Sequence, residues 1–138
     1  MTGKKTLALP LALVLALFLA ACGGGNVEDV TVDYAGASRE TTQEINQAVT
    51  VVKREFQEME GCTLHSLSYA GDERSAAELD YTNKMWGNPY NACIVLNSSF
   101  HSPKEGGDAW EADTEYTWSW VVARETAGNW VLVNCGYG

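Results

Sequence analysis

The chain contains only two histidines, and histidine is the side chain best suited to proton transfer and metal binding at neutral pH. His65 and His101 lie 36 residues apart. Neither belongs to a metal-binding spacing such as His-Glu-x-x-His, and the sequence has no Gly-x-Ser-x-Gly segment and no phosphate-binding glycine loop. We therefore predict that both histidines are structural or solvated, and that the chain has no catalytic residue, no metal site and no non-covalent cofactor.

Carboxylates are the second group of side chains that could bind a metal ion or transfer a proton. Glu111, Asp113 and Glu115 alternate along the chain, and together their oxygens could bind calcium weakly. A solvated acidic loop is the alternative, and we favour it. The residue types of an acid–base pair are also present, although nothing in the sequence brings them together: Asp33, Tyr69, Asp80 and Tyr81.

The N-terminus has the pattern of a secretory signal. Residues 1–6 include Lys4 and Lys5 and no acidic residue, and residues 7–21 are almost wholly apolar. This apolar run of about 15 residues is shorter than the roughly 20 that a membrane-spanning helix needs. The sequence therefore predicts a signal peptide over residues 1–21 that is removed from the mature protein.

The signal ends in Leu19-Ala20-Ala21-Cys22, which resembles the lipobox of bacterial lipoproteins. The resemblance implies that a lipoprotein signal peptidase recognises Leu19, Ala20 and Ala21 and cuts before Cys22. It also implies that the Cys22 thiol carries a covalent diacylglyceryl lipid, and two acyl chains are enough for stable anchoring. The alternative is ordinary cleavage near residues 19–21, which would release a soluble protein with a free cysteine. We favour the lipid anchor.

The rest of the chain divides into a lipidated flexible tether over residues 22–40 and a single domain over residues 41–138. Residues 27–34 fit either an edge strand or a linker, and we favour the linker. The formal charge is −9, and it becomes two units more negative when Lys4 and Lys5 are lost with the signal. Such acidity argues against nucleic acid and anionic lipid headgroups as electrostatic partners. We therefore expect the protein to be held at the extracytoplasmic face of the cell membrane by its lipid alone.

Three further cysteines, Cys62, Cys93 and Cys135, are spaced 31 and 42 residues apart. An oxidising compartment would permit one disulfide among them. Buried, reduced cysteines in strands are the alternative, and we favour it slightly because the apolar content supplies a core without a bridge.

Periodicity predicts the elements that must position these residues. Thr41 and Glu44 form a capping-box pattern that predicts the start of an amphipathic helix. Ser75 and Glu78 repeat the pattern and predict a short helix ending near residue 85. Residues 62–69 and 92–100 read as strands. The buried face of the first helix is predicted to contain apolar residues spaced by three and four: Ile45, Ala48, Val49, Val52, Phe56 and Met59.

The C-terminus predicts a β-hairpin, with strands over residues 115–125 and 129–137 joined by a turn at 126–128. Trp118 and Trp120 are two residues apart and therefore lie on the same face of the first strand, and Trp130 lies on the second strand. These rings could form an aromatic platform for a ligand. The alternative, which we favour, is that they pack against the long helix.

The order of elements predicts an α+β fold in which one long N-terminal helix packs on a curved antiparallel sheet of about four strands. This arrangement resembles the cystatin-like and nuclear-transport-factor-2-like folds. The C-terminal pattern, with Tyr116, Trp118, Trp120 and Arg124 before Gly128-Asn129-Trp130, is similar to small uncharacterised lipoproteins of Gram-positive bacteria. That resemblance implies no activity. The Gln-x-Val-x-Gly loop of cystatin inhibitors is absent, because Gln47-Ala48-Val49 lies within the predicted helix.

Two functions are consistent with these features. The first, which we favour, is a non-catalytic binding or interaction module at the membrane, whose partner is an envelope protein or a small ligand. The alternative is a small enzyme of the isomerase or dehydratase type with a pocket between helix and sheet. An open pocket that holds an ionisable side chain would favour the enzyme.

Overall fold

The computed structural model describes residues 24–87 and 89–137. The predicted signal, the lipobox and the lipidated Cys22 lie outside the described residues. Within the described part, no helix is both long and apolar enough to cross a membrane.

The described residues form an α+β fold with two helices and one five-stranded sheet. The elements in chain order are β1 (Thr31–Asp33), α1 (Arg39–Phe56), β2 (Thr63–Tyr69), α2 (Asp72–Trp86), β3 (Tyr90–His101), β4 (Glu115–Glu125) and β5 (Trp130–Gly136). The strands are arranged in the order in which they occur in the chain. β1 runs parallel to β2, and the remaining neighbours are antiparallel.

Helix α1 confirms the predicted amphipathic helix, although it begins earlier than its sequence pattern indicated. Ser38 is the N-cap, and its hydroxyl accepts a hydrogen bond from the amide of Thr41 at 3.1 Å. The N-cap predicted at Thr41 is therefore wrong, because Ser38 supplies the same type of cap three residues earlier. Five of the six apolar positions predicted for the inner face are buried, and Met59, beyond the end of α1, is partly buried.

One face of the sheet packs against α1 and forms the core. Because side chains alternate along a strand, even-numbered residues of β3 and β4 point toward this helix. They include Leu96 and Phe100 on β3 and Trp120 on β4, which pack with Phe56 of α1. The predicted hairpin is confirmed, and its tryptophans contribute to this core.

Helix α2 packs on the opposite face, which corrects the expectation of one helix on four strands. Val95 points away from α1, and its amide donates to the hydroxyl of Ser75 in α2 at 3.1 Å. The N-cap of α2 is Gly71, so the cap predicted at Ser75 is also wrong. β2 ends at Tyr69, before it could supply a backbone acceptor for the Val95 amide. The Ser75 hydroxyl is the acceptor instead.

The segment predicted as a linker contains β1, a strand in addition to the four that the sequence predicted. Thr31, Val32 and Asp33 pair in parallel with β2. Ahead of them, Asn26 forms a bridge to Thr63. Partly buried apolar residues, including Val30, Val32 and Tyr34, pack against the core, and this burial explains why residues 27–34 join the domain.

Candidate metal centre

Two carboxylates and both histidines of the chain meet at one end of the sheet. His101 is the last residue of β3 and Glu115 the first of β4, and the antiparallel register places them directly opposite each other. Both point to the face opposite α1, because each has an odd number in a strand whose even-numbered residues point to the core. The hairpin between β3 and β4 thus fixes this pair.

The second histidine lies at the same place, at a β-bulge in β2. Leu64 pairs with Phe100 and Ser66 with Ser99, so β2 contains one extra residue, His65, at this point. Leu64 and Leu67 are both buried although they are three residues apart, which a regular strand does not allow. The bulge therefore keeps both leucines in the core and leaves His65 exposed, 6.2 Å from His101 between ring centroids.

His101 contacts a carboxylate through each of its ring nitrogens. Its Nδ1 lies 2.8 Å from Oε2 of Glu115, and its Nε2 lies 2.6 Å from Oδ1 of Asp113. These hydrogen bonds, that of Asp113 first, raise the pKa of His101 above its ordinary value of 6.5. With both nitrogens protonated, His101 donates to both carboxylates.

Asp113 is held against His101 by an ordered loop between β3 and β4. Its backbone has φ of +49°, a left-handed conformation that aspartate tolerates better than most residues, and its amide donates to the carbonyl of Pro103 at 2.8 Å. Buried Ser102 links the two ends of this loop, because its hydroxyl donates to the Glu111 carbonyl and accepts from the Thr114 amide. These contacts hold the backbone of Asp113 at the end of β3, beside His101.

The cluster has the ligand types of a transition-metal site. One ligand atom from each of His65, His101 and Glu115 lies within 4.8 Å of the other two. The Nε2 atom of His65 is 3.6 Å from Oε2 of Glu115. Imidazole nitrogen and carboxylate oxygen are common zinc ligands.

The sheet surface next to the cluster is polar and incompletely covered. Ser66 and Ser99 share a hydrogen bond of 2.6 Å between their hydroxyls, and the Ser119 hydroxyl donates to Asn97 at 2.9 Å. Asn97 is exposed, as is Thr117 on β4. We call these residues, together with His65, His101 and Glu115, the open face.

The three tryptophans considered as a ligand platform occupy different environments. Trp120 is only 1 % exposed, and its indole N–H donates to Ser98 at 2.8 Å. Trp130 is 8 % exposed, donates to Gln47 of α1 at 2.6 Å and stacks beneath the guanidinium of Arg124. Trp118 is partly buried among other rings. Two of the three rings are therefore enclosed between the sheet and α1.

The remaining residues singled out in the sequence make separate contacts. The backbone amide of Glu111 donates to the hydroxyl of Tyr116, and Glu111 itself is exposed. The Tyr69 hydroxyl donates to Asp72 at 2.5 Å, and burial together with this carboxylate raises the pKa of Tyr69 to about 12. The other proposed acid–base groups have separate partners or are exposed: Asp33 accepts from the Ala35 amide, Asp80 pairs with Lys84, and Tyr81 is exposed.

The cysteines in the described residues are unbridged. Cys62 is buried, Cys93 is partly buried and Cys135 is exposed. Burial raises the pKa of all three thiols, and that of Cys93 reaches about 12 with the help of the nearby Glu78 charge. A raised pKa keeps a thiol protonated and therefore a poor nucleophile and metal ligand.

The sequence did contain one signal of the histidine cluster. In residues 63–69, alternation with the apolar Leu64 places His65 on the polar face of the strand, and the spacing of three between Leu64 and Leu67 marks a bulge at this point. Comparisons with family models, with curated proteins and with solved structures found no match to the chain.

Proposed function

We propose that this protein is a lipid-anchored, extracytoplasmic binding module that contacts its ligand through the open face of the sheet. It performs no reaction; it holds a ligand at the membrane surface. The ligand is a small molecule or ion, or a group presented by another envelope component.

The observation that supports this function is the difference between the two faces of the sheet. On the α1 side, large side chains such as Phe56, Phe100 and Trp120 fill the space between helix and sheet. A substrate pocket at that place, as the enzyme alternative requires, would need these rings to be absent. The open face instead presents polar side chains to solvent, and it contains both histidines.

The N-terminal connection supports a position near the membrane. Asn26 donates its amide proton to the Cys62 carbonyl at 2.8 Å and accepts from the Leu64 amide at 2.9 Å. Thr63, between these two residues, pairs with His101. Asn26 comes four positions after Cys22 in the chain, which is at most about 14 Å of extended backbone. Lipid on Cys22 would therefore hold the histidine end of the sheet close to the bilayer.

Lipidation is tested by metabolic labelling with radioactive palmitate in a bacterial host. The wild-type chain should incorporate label, whereas Cys22→Ser should not. Cys135→Ser is the matched control, since Cys135 is an exposed cysteine elsewhere in the domain. Equal labelling of wild type and Cys22→Ser would refute the anchor.

Ligand binding by the open face is tested by native mass spectrometry of the full chain after mild detergent extraction. Thr117→Arg places a bulky side chain on the open face and should remove the bound mass. Thr126→Arg, on the exposed hairpin turn, should retain it. A ligand that survives Thr117→Arg but is lost with Thr126→Arg would assign binding to a different surface.

A further inference from the structure

We propose that His65, His101 and Glu115 form a binding site for a divalent first-row transition-metal ion, with Asp113 as the residue that orients His101. This inference rests on the proposed function, because it names the ligand of the open face. It concerns a site that neither the sequence motifs nor the spacing of the histidines predicted.

The ligand set decides the class of metal. Two imidazoles and one carboxylate match the preference of zinc and its neighbours in the first transition row. Calcium and magnesium prefer sites made of oxygen alone. Because Asp113 and Glu115 both contact His101, their oxygens are arranged around a nitrogen ligand and not around a shared calcium ion.

The distances are close to those that a bound ion imposes. A tetrahedral ion with bonds of about 2.0–2.1 Å holds its ligand atoms roughly 3.3 Å apart. Nδ1 of His101 and Nε2 of His65 lie 2.8 Å and 3.6 Å from the same oxygen of Glu115, on either side of that value. All three ligand atoms lie within 4.8 Å of one another, so rotations of exposed side chains suffice to close the site.

Asp113 explains which nitrogen of His101 would bind the ion. Its carboxylate accepts from Nε2 of His101 at 2.6 Å, which leaves Nδ1 directed toward Glu115. A carboxylate that accepts a proton from the far nitrogen of a ligating histidine fixes the ring and increases its basicity. The left-handed backbone of Asp113, and the hydrogen bond that its amide donates to the Pro103 carbonyl, hold this residue beside His101 before any ion arrives.

The ligands project from paired strands, and the site is accessible from solvent. Three neighbouring strands supply one ligand each. A hydrogen bond between the hydroxyls of Ser66 and Ser99 links β2 to β3 next to the histidines. The side chains of His65 and Glu115 are about half exposed. Three protein ligands on an exposed surface leave a coordination position open for solvent or for a group on a partner.

The proposal is tested by zinc titration of the full chain, expressed without a polyhistidine tag and purified in detergent. Zinc affinity is measured by competition with a chromophoric chelator, and cobalt(II) absorption reports the coordination geometry. Wild type should bind one equivalent of zinc and give the intense visible bands of tetrahedral cobalt. Each of His65→Asn, His101→Asn and Glu115→Gln should weaken zinc binding by about 100-fold or more, and Asp113→Asn by about 10- to 100-fold.

Matched carboxylate variants serve as controls. Glu125→Gln alters the exposed glutamate at the other end of β4, and Asp108→Asn alters an exposed aspartate in the loop that contains Asp113. Both should bind zinc within about twofold of wild type. Thermal unfolding of every variant without metal verifies that the fold is intact, which we expect because the altered side chains lie at the surface.

Two results would overturn the site. One is a wild-type chain that binds no zinc at millimolar concentration, and the other is an equal loss of affinity in Glu115→Gln and Glu125→Gln. These outcomes are separate from failure of the proposed function. A chain that is labelled at Cys22 but binds no zinc would remove the metal site alone, whereas a chain that binds zinc without being labelled would remove the anchor alone.

Discussion

Ser98→Ala tests how the core of the sheet is held together. Ser98 is buried on the α1 face, where its hydroxyl accepts from the indole N–H of Trp120 at 2.8 Å and donates to the Trp118 carbonyl at 3.2 Å. Alanine removes the acceptor and leaves the Trp120 N–H buried without a partner. An unsatisfied buried donor costs about 1–3 kcal/mol, so we expect the free energy of unfolding to fall by about that amount.

The neighbouring serine provides the control. Ser99 points to the open face, and within the described residues its hydroxyl forms a hydrogen bond with that of Ser66 alone. Solvent can replace this partner, so Ser99→Ala should cost less than about 1 kcal/mol. Urea unfolding of the full chain, followed by tryptophan fluorescence, measures both values, and an unchanged dependence on urea would show that the unfolded states are comparable.

A double-mutant cycle isolates the hydrogen bond itself. In a Trp120→Phe background the indole donor is absent, so Ser98→Ala should then cost about 1 kcal/mol less than it does in the wild type. Equal destabilisation by Ser98→Ala and Ser99→Ala, or the same cost of Ser98→Ala in both backgrounds, would refute this role of the hydrogen bond between Ser98 and Trp120.

Three further predictions concern the second helix, a turn and the histidine cluster. Ser75→Ala removes the only side-chain acceptor of the Val95 amide and should destabilise the fold by about 1–3 kcal/mol in urea; an unchanged midpoint would contradict this role. Gly61→Ala should lower the melting temperature, because Gly61 has φ of +75° and an added Cβ would lie 2.7 Å from Pro103; equal melting temperatures would show that the turn adjusts. In NMR titrations the His101 ring should have a pKa above 6.5, and Asp113→Asn should lower it. Because this pKa is raised in the folded state, its stabilising effect is complete below pH 6.5 and is lost as the pH rises through the folded-state value; an unshifted His101 in the wild type would exclude the Asp113 contact.

The elements that depend on local periodicity were predictable from the sequence. The apolar spacing of α1 and the alternation in β4 and β5 match the structure, because a helix or hairpin with one buried face repeats that face in its own residues. The helix starts were wrong by three or four residues, at Ser38 and Gly71 instead of Thr41 and Ser75. Several Ser and Thr residues near each start can cap a helix, and tertiary packing selects among them.

Pairings between distant segments were not predictable in the same way. β1 pairs with β2, and α2 packs on the second face of the sheet. Both contacts connect distant segments, and the local sequence pattern of one segment does not indicate its partner. The sequence therefore favoured a linker at residues 27–34 and a single helical layer. Burial of partly apolar segments against the completed sheet decided both features.

The amino-acid sequence by itself determined the α+β class, the long amphipathic helix and the aromatic hairpin, and it predicts lipidation of Cys22. It also supplied both histidines, with a spacing that matched no known site. Only the tertiary structure brought His65, His101 and Glu115 together. The physical reason is strand pairing: the register that sets the start of β2 beside His101, and His101 opposite Glu115, joins segments that are distant in the chain.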